Sequence, residues 1–159
     1  MTTVKKPLNE NQVKTIRKLT ADNPLHNLLI NLSTDLMLRA SDLLKLKVSD
    51  VMFENGNVRE TVKVKQKKTK NYTIDIPLSA HSKKSIVKFL SDRDADEFIF
   101  TGQKSHYTRK AISTVQYQRI IKGWMRMLGV DDVSSYSTHS MRKTLSSHIY
   151  SKTNNVEAV

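Results

Sequence analysis

Two residues near the carboxyl end of the sequence, His139 and Arg142, place an imidazole and a guanidinium three positions apart. They lie in STHSMRKTLSSHIY, which predicts a helix with Thr138 as its N-cap. Residues at this spacing share a helix face, and the first-turn amides and the helix dipole attract anions there. An arginine fork binds two phosphate oxygens, and a histidine donates a hydrogen bond or moves a proton. The pattern indicates a phosphate pocket, and a surface His and Arg without a ligand is the alternative.

A third candidate residue, Arg39, follows an apolar run and precedes Ser41, the predicted N-cap of a helix over residues 41–46. Burying an arginine is unfavourable unless an acidic side chain or an anionic ligand neutralises it. The sequence leaves two interpretations open: a structural ion pair with Asp42 or Asp35, or a second phosphate ligand beside the His-x-x-Arg pair.

A lysine-rich hairpin is predicted over residues 60–77, where the hydrophobic period becomes two. Val62 and Val64 alternate with lysines, so one face packs on the core and the other faces water. Lys68 lies at the tip, beyond the apolar row, where it can turn toward a cleft. The hairpin lysines expected to contact a polyanion are Lys63, Lys65, Lys67 and Lys70. The alternative is a solvated, charged edge that prevents strand association.

A long amphipathic helix is predicted to begin after Ser113 and to end at Gly129. Apolar residues recur along it at helical spacing, and its polar face includes Arg119 and Lys122. These two cations are candidate contacts to a nucleic-acid groove. A solvated polar face without a partner is the alternative.

The charge of the whole sequence favours a polyanionic partner. Lysine and arginine number 27 against 15 acidic residues, giving a net charge of +12 and a pI near 9.9. Such a field attracts DNA, RNA or an anionic membrane, although many small basic proteins use it only for solubility. Because the sequence has no cysteine, no histidine pair at metal-ligand spacing and no phosphate-binding glycine loop, we expect neither a metal nor a nucleotide cofactor. Nor does it contain a signal segment or membrane span, so we expect a cytoplasmic protein without membrane or small-molecule partners.

The order of the elements predicts one domain over residues 1–159, of the α+β class and mainly helical. The helices are expected to pack around a small three-stranded antiparallel sheet. Its predicted strands are VMFENGN, which runs into a turn, ETVKVKQKK and YTIDIP.

Taken in order, LRASDLLKLKVSDV, QKKTKNYTIDIPL and THSMRKTLSSHIY resemble motifs of the tyrosine recombinase (phage integrase) family. KPLNENQV resembles the beginning of that family's catalytic domain, so the resemblance runs from about Lys6 to Val159. Members break and rejoin DNA by attack of a tyrosine on a phosphodiester, which leaves a 3′-phosphotyrosine and a free 5′-hydroxyl. The resemblance implies double-stranded DNA as the partner, a tetramer of recombinase subunits on that DNA, and no cofactor.

Carried over position by position, the resemblance assigns Arg39 and Arg142 as the two catalytic arginines, which clamp the non-bridging phosphate oxygens. Lys68 matches the hairpin lysine that protonates the leaving 5′-oxygen, and His139 matches the histidine that assists proton transfer or hydrogen-bonds the phosphate. Asp42 matches the acidic residue that follows the first arginine, a supporting position.

The resemblance places the family's nucleophilic tyrosine well beyond the second arginine, whereas the sequence reaches only Val159. Tyr150 is too close to Arg142, on the same predicted helix, and the other tyrosines match no nucleophile position. We therefore expect a catalytic domain that is incomplete at its carboxyl end, lacks the family's amino-terminal DNA-clamping domain, and forms no covalent intermediate by itself. A non-catalytic DNA-binding or regulatory protein derived from an integrase is the alternative. A basic RNA-binding domain is disfavoured, because aromatic residues make up only 6% of the chain.

Overall fold

A computed structural model of the chain describes residues 4–65, 73–102 and 110–153, and the side chains of Lys65 and of residues 150–153 lie outside this description. The described elements begin with a helical segment, continue through a β-hairpin, and end in further helices. In chain order they are α1 (Glu10–Leu19), α2 (Pro24–Leu36), α3 (Ala40–Leu43), α4 (Val48–Val51), β1 (Thr61–Lys65), β2 (Thr73–Pro77), α5 (Ala80–Leu90), α6 (Thr114–Met127), a 3-10 helix (Val133–Ser135) and α7 (Thr138–Thr153).

The longer helices begin at side-chain caps that the sequence encodes locally. Asn9 accepts a hydrogen bond from the Gln12 amide, and the Gln12 side chain accepts one from the Asn9 amide, which forms a capping box. Ser79 caps α5 and Ser113 caps α6 in the same way, through the hydroxyl oxygen. Gly129 follows α6 with a φ of 72°, so the predicted end of this helix is confirmed.

Helix α2 lies at the centre of the hydrophobic core. Every residue from Asn27 to Leu36 is buried, and α2 packs against α1, α5 and α7. Its buried amides are satisfied internally, since Asn27 donates to Thr20 and accepts from Ser85. Burial of every residue from 27 to 36 fits the leucine- and isoleucine-rich stretch of residues 28–32.

The sheet has two strands in the described part of the chain, so the prediction of three was wrong. β1 and β2 pair antiparallel, with Val62 opposite Ile76 and Lys63 opposite Asp75. The segment expected to form the first strand, residues 51–57, instead leaves α4 at Val51 and makes a single bridge between Met52 and Val58. The stretch between Met52 and Val58 is a tight turn, which leaves too few residues to extend a ladder.

Candidate functional site

Arg39 lies in a turn between α2 and α3. Helix α2 ends at Leu36, and Met37 adopts the left-handed conformation with φ 53° and ψ 32°. Arg39 itself occupies the N-cap position of α3, so the prediction that Ser41 caps this helix was wrong by two residues. The Arg39 carbonyl accepts hydrogen bonds from the amides of Asp42 and Leu43, which fixes the backbone at the base of its side chain.

Arg39 is half-buried, and no neighbouring carboxylate in the described residues neutralises its guanidinium. In the parts of the chain that the structure describes, neither Asp42 nor Asp35 forms an ion pair with it. Asp35 instead accepts a hydrogen bond from the Ser79 amide at 2.8 Å. The structural ion pair that the sequence left open is therefore not formed, and the guanidinium keeps its capacity to bind an anion.

Helix α7 begins at Thr138 as predicted, but its cap is Ser137 rather than Thr138. The Ser137 hydroxyl accepts from the His139 amide at 3.2 Å, and the Ser140 hydroxyl accepts from the Ser137 amide at 3.0 Å. Thr138 is the first helical residue, and its amide donates to Oε1 of Gln118 on α6 at 2.9 Å. The first-turn amides of Thr138, His139 and Ser140 therefore already have acceptors within the protein, and the predicted phosphate pocket stays a prediction.

The side chains of His139 and Arg142 are exposed on one face of α7. The opposite face is buried through Ser140, Met141 and Thr144. Within the described ranges, neither the imidazole nor the guanidinium has a hydrogen-bonded or ion-paired partner. An anion at this place would thus be bound by these two side chains and by the helix dipole, not by free amides.

One contact joins the segment that contains Arg39 to the helix that contains Arg142. The Ser146 hydroxyl lies 3.2 Å from the Met37 sulfur. Met37 precedes Arg39 by two residues, and Ser146 follows Arg142 by one helical turn. His139, Arg142 and Ser146 have the spacing of a single stripe along α7. Through Ser146, this stripe therefore contacts the turn that leads to Arg39.

The hairpin has the predicted alternation where the structure describes it. Val62 and Val64 are buried, while Lys63 is exposed. The side chain of Lys65 and the whole of Lys67, Lys68 and Lys70 lie outside the described residues.

Helix α6 presents cations on the side opposite its buried face. Arg119 is exposed and Lys122 is half-buried, and Arg126, which sequence reasoning did not select, continues their stripe at the next helical position. The buried face is formed by Tyr117, Ile121, Trp124 and Met125.

The ion pairs of the described residues leave the candidate cations unneutralised. They join Lys83 to Glu60, Lys88 to Asp22 and Arg93 to Glu97. The same part of the chain contains no cluster of three acidic or histidine residues that could hold a metal ion. None of the described helices has the length and apolarity to cross a membrane.

Two contacts that position the site had no signal in the sequence. Gln118 holds the first turn of α7, and Met37 contacts Ser146 from a left-handed turn. Both contacts join residues far apart in the chain, and neither belongs to a local pattern. A single sequence therefore gave no means of selecting them.

The profile of the phage integrase family matches residues 6–159. This chain belongs to the phage integrase family. A curated relative, the probable integrase/recombinase YoeC of Bacillus subtilis (strain 168), is 33% identical over 119 residues, which are 75% of this chain and 59% of the relative. The chain thus spans less than two thirds of the length of this integrase relative.

Solved recombinase structures share the fold. The XerA recombinase superposes with a TM-score of 0.74 at 15% identity, covering 98% of this chain and 55% of that one. The XerH site-specific recombinase, in a post-cleavage complex with its difH substrate, gives a TM-score of 0.68 at 17% identity over 96% of this chain and 44% of that one. The family and the mainly helical α+β fold expected from the sequence motifs are confirmed.

Proposed function

We propose that this chain binds double-stranded DNA and contributes the phosphate clamp of a tyrosine recombinase. Arg39 and Arg142 bind the non-bridging oxygens of the scissile phosphate, and Asp42 supports the Arg39 turn. The observation that carries the proposal is the Met37–Ser146 contact at 3.2 Å, because it joins the segments of two arginines that lack partners among the described residues. DNA-bound relatives such as XerH support duplex DNA as the ligand.

The proposed chemistry is the attack of a tyrosine on a phosphodiester. Negative charge grows on the non-bridging oxygens as the phosphorus becomes pentavalent, and two fixed guanidinium groups stabilise this charge. His139 assists proton transfer or donates a hydrogen bond to the phosphate, and Lys68 protonates the leaving 5′-oxygen. The phosphotyrosine conserves the energy of the broken bond for rejoining.

Further cations bind the DNA backbone beside the clamp. Exposed Lys63 and Arg119 and half-buried Lys122 contribute this charge from β1 and α6. We expect the hairpin lysines Lys65, Lys67 and Lys70 to contact the same DNA. The net charge of +12 supports a large electrostatic share of the affinity.

We also propose that none of this chain's own tyrosines is the nucleophile. Tyr117 is fully buried, and burial raises the pKa of its phenol, which disfavours the phenolate. Tyr136 is buried as well. Incubation with a nicked duplex that traps covalent intermediates should therefore yield no denaturation-resistant DNA adduct. An adduct that disappears in a Tyr150→Phe variant would overturn this part of the proposal.

We expect several subunits to assemble on DNA, with a tetramer as the complete complex. We expect this assembly in the cytoplasm, where bacterial or phage DNA is found. Analytical ultracentrifugation with a duplex target would measure the stoichiometry. A single subunit bound per duplex at saturation would contradict the tetramer.

The DNA proposal is tested by fluorescence anisotropy with a labelled duplex across a salt series. The logarithm of the affinity should fall linearly with the logarithm of salt concentration, as counterion release requires. Arg39→Ala and Arg142→Ala should each weaken binding and reduce the slope by about one. Arg59→Ala is the control with the same charge change, since Arg59 already donates to the Ser49 carbonyl and stacks on Phe53. Equal effects of all three variants would contradict a clamp.

A further inference from the structure

A buried carboxylate, Asp35, lies in the last turn of α2, four residues before Arg39. Its residue is only 6% exposed. Burial disfavours the charged form, and the negative end of the α2 dipole disfavours it further. A hydrophobic residue would fill this core position without either penalty, so the contacts of the carboxylate decide what it does.

The Asp35 carboxylate bonds to the junction between the hairpin and α5. Its Oδ2 accepts from the Ser79 amide at 2.8 Å, across a separation of 44 residues. Ser79 is the N-cap of α5, so the carboxylate lies near the positive end of that helix dipole. Leu78, the residue between β2 and Ser79, donates its amide to the Glu60 carbonyl at 3.0 Å, next to β1. The base of the hairpin is thus bonded at two adjacent positions.

A cationic neighbour, Arg17, lies near Asp35, and within the described residues the two side chains form no ion pair. Arg17 lies close enough for Asp35 to oppose the lowering of its pKa that burial causes. The Arg17 Nε is held by Asn31 Oδ1 at 2.8 Å, one helical turn before Asp35. Desolvation lowers the pKa of His81, in the first turn of α5, and the nearby Asp35 charge opposes this lowering as well. The carboxylate therefore remains available to the Ser79 amide.

We propose that Asp35 is a positioning residue, which holds the base of the lysine hairpin against the turn that contains Arg39. The inference rests on the proposed function, because Arg39 and the hairpin are proposed there to bind DNA. Asp35 itself is assigned no contact with DNA. The hairpin and Arg39 belong to different parts of the chain, and the Asp35–Ser79 bond fixes one against the other. When this bond is lost, Arg39 and Lys63 no longer face the same stretch of DNA backbone.

Electrostatics and positioning predict opposite changes in DNA affinity when Asp35 is replaced. Removing a negative charge from a chain of net charge +12 should tighten DNA binding slightly. Loss of positioning should weaken it instead. Asp35→Ala is therefore expected to lower duplex affinity about tenfold and to reduce the salt slope by about one, the signature of a lost phosphate contact. Asp35→Asn, which keeps an acceptor for Ser79, should recover part of the lost affinity.

The matched control is Asp92→Asn, because Asp92 is exposed just after α5. It removes the same charge and should leave affinity unchanged or slightly tighter. Circular dichroism and thermal melts establish that each variant is folded at the assay temperature. If Asp35→Ala does not fold, Asp35→Asn is compared with Asp92→Asn instead. Asp35→Asn is then expected to bind DNA about threefold more weakly than Asp92→Asn, because its acceptor is neutral.

Two readouts separate failure of this inference from failure of the proposed function. Hydrogen exchange at the Ser79 amide, measured without DNA, should accelerate at least tenfold in Asp35→Ala, and unchanged exchange would overturn the inference. Combining Asp35→Ala with Arg39→Ala should weaken binding no more than Arg39→Ala alone, and additive effects would overturn it as well. A wild-type chain without salt-dependent duplex binding would instead contradict the proposed function, while leaving the Ser79 exchange result interpretable.

Discussion

The Ser146 hydroxyl lies 3.2 Å from the Met37 sulfur, and this contact joins α7 to the left-handed turn at the end of α2. Helix α7 contains Arg142 and the turn leads to Arg39. A non-glycine residue with positive φ is uncommon, and it persists only where surrounding contacts fix it. Here the conformation redirects the chain out of α2 so that the Arg39 segment meets α7.

The left-handed turn gives the first prediction. Met37→Val should lower the free energy of unfolding by about 1–2 kcal/mol, because a β-branched residue fits this region poorly. Met37→Gly should change it by less than about 1 kcal/mol, since relief of backbone strain offsets the lost contact with Ser146. Urea denaturation measures both. Met127→Val, at an exposed α6 position, is the control, and an equal loss there would contradict the role of the turn.

The support of α7 by Gln118 gives the second prediction. Gln118→Ala leaves the Thr138 amide without its acceptor and should destabilise the protein by about 1 kcal/mol. Gln118→Glu keeps an acceptor oxygen and favours the helix dipole, so it should preserve stability. The same substitution adds a negative charge near His139 and should weaken DNA binding. Chemical denaturation and anisotropy separate the two effects; a Gln118→Glu variant as unstable as Gln118→Ala would contradict the proposed hydrogen bond.

A pH dependence follows from His26. Burial lowers the pKa of His26, and the Trp124 indole donates to its Nδ1 at 3.4 Å, which requires the neutral ring. The unfolded chain therefore binds this proton before the folded chain does. The stabilisation is complete above the ordinary value of 6.5 and is lost as the pH falls from there toward the folded pKa.

Denaturation series between pH 8 and about pH 5 measure this effect. His26→Gln, which can still accept from Trp124, should reduce the loss of stability on acidification. His81→Gln is the comparison, because desolvation and the charge of Arg17 lower the pKa of this more exposed histidine too. An unchanged pH profile in His26→Gln would rule out the His26 contribution.

The attachment of the segment Lys5–Leu8 gives the last prediction. The Leu8 amide donates to the Thr144 hydroxyl at 3.2 Å, and the Leu8 carbonyl lies 2.8 Å from His148 Nε2. Thr144→Val keeps the shape but leaves the buried amide unsatisfied, and it should cost about 1–3 kcal/mol of stability. Thr144→Ser retains the hydroxyl and should lose less. A larger loss in Thr144→Ser than in Thr144→Val would show that the Thr144 methyl group, not the bond to Leu8, stabilises this contact.

The sequence by itself determined the features that depend on near neighbours. Spacings of a few residues set the helix caps at Asn9 and Ser113 and the glycine that ends α6. They also set the alternation of Val62 and Val64 with lysines. The ordered motifs also indicated the family, because they are read directly from residue types. The candidate clamp residues were selected in the same way and remain a prediction.

Only the tertiary structure decided how these pieces meet. The expected first strand became a turn with a single bridge after α4, and the Thr138 and His139 amides at the start of α7 donate to Gln118 and Ser137. Asp35, open in the sequence as a partner for Arg39, bonds instead to Ser79. These outcomes depend on which donors and acceptors from other parts of the chain lie beside a given backbone or side-chain group in the folded protein. Long-range packing sets that choice, and the local periodicity of a single sequence does not contain it.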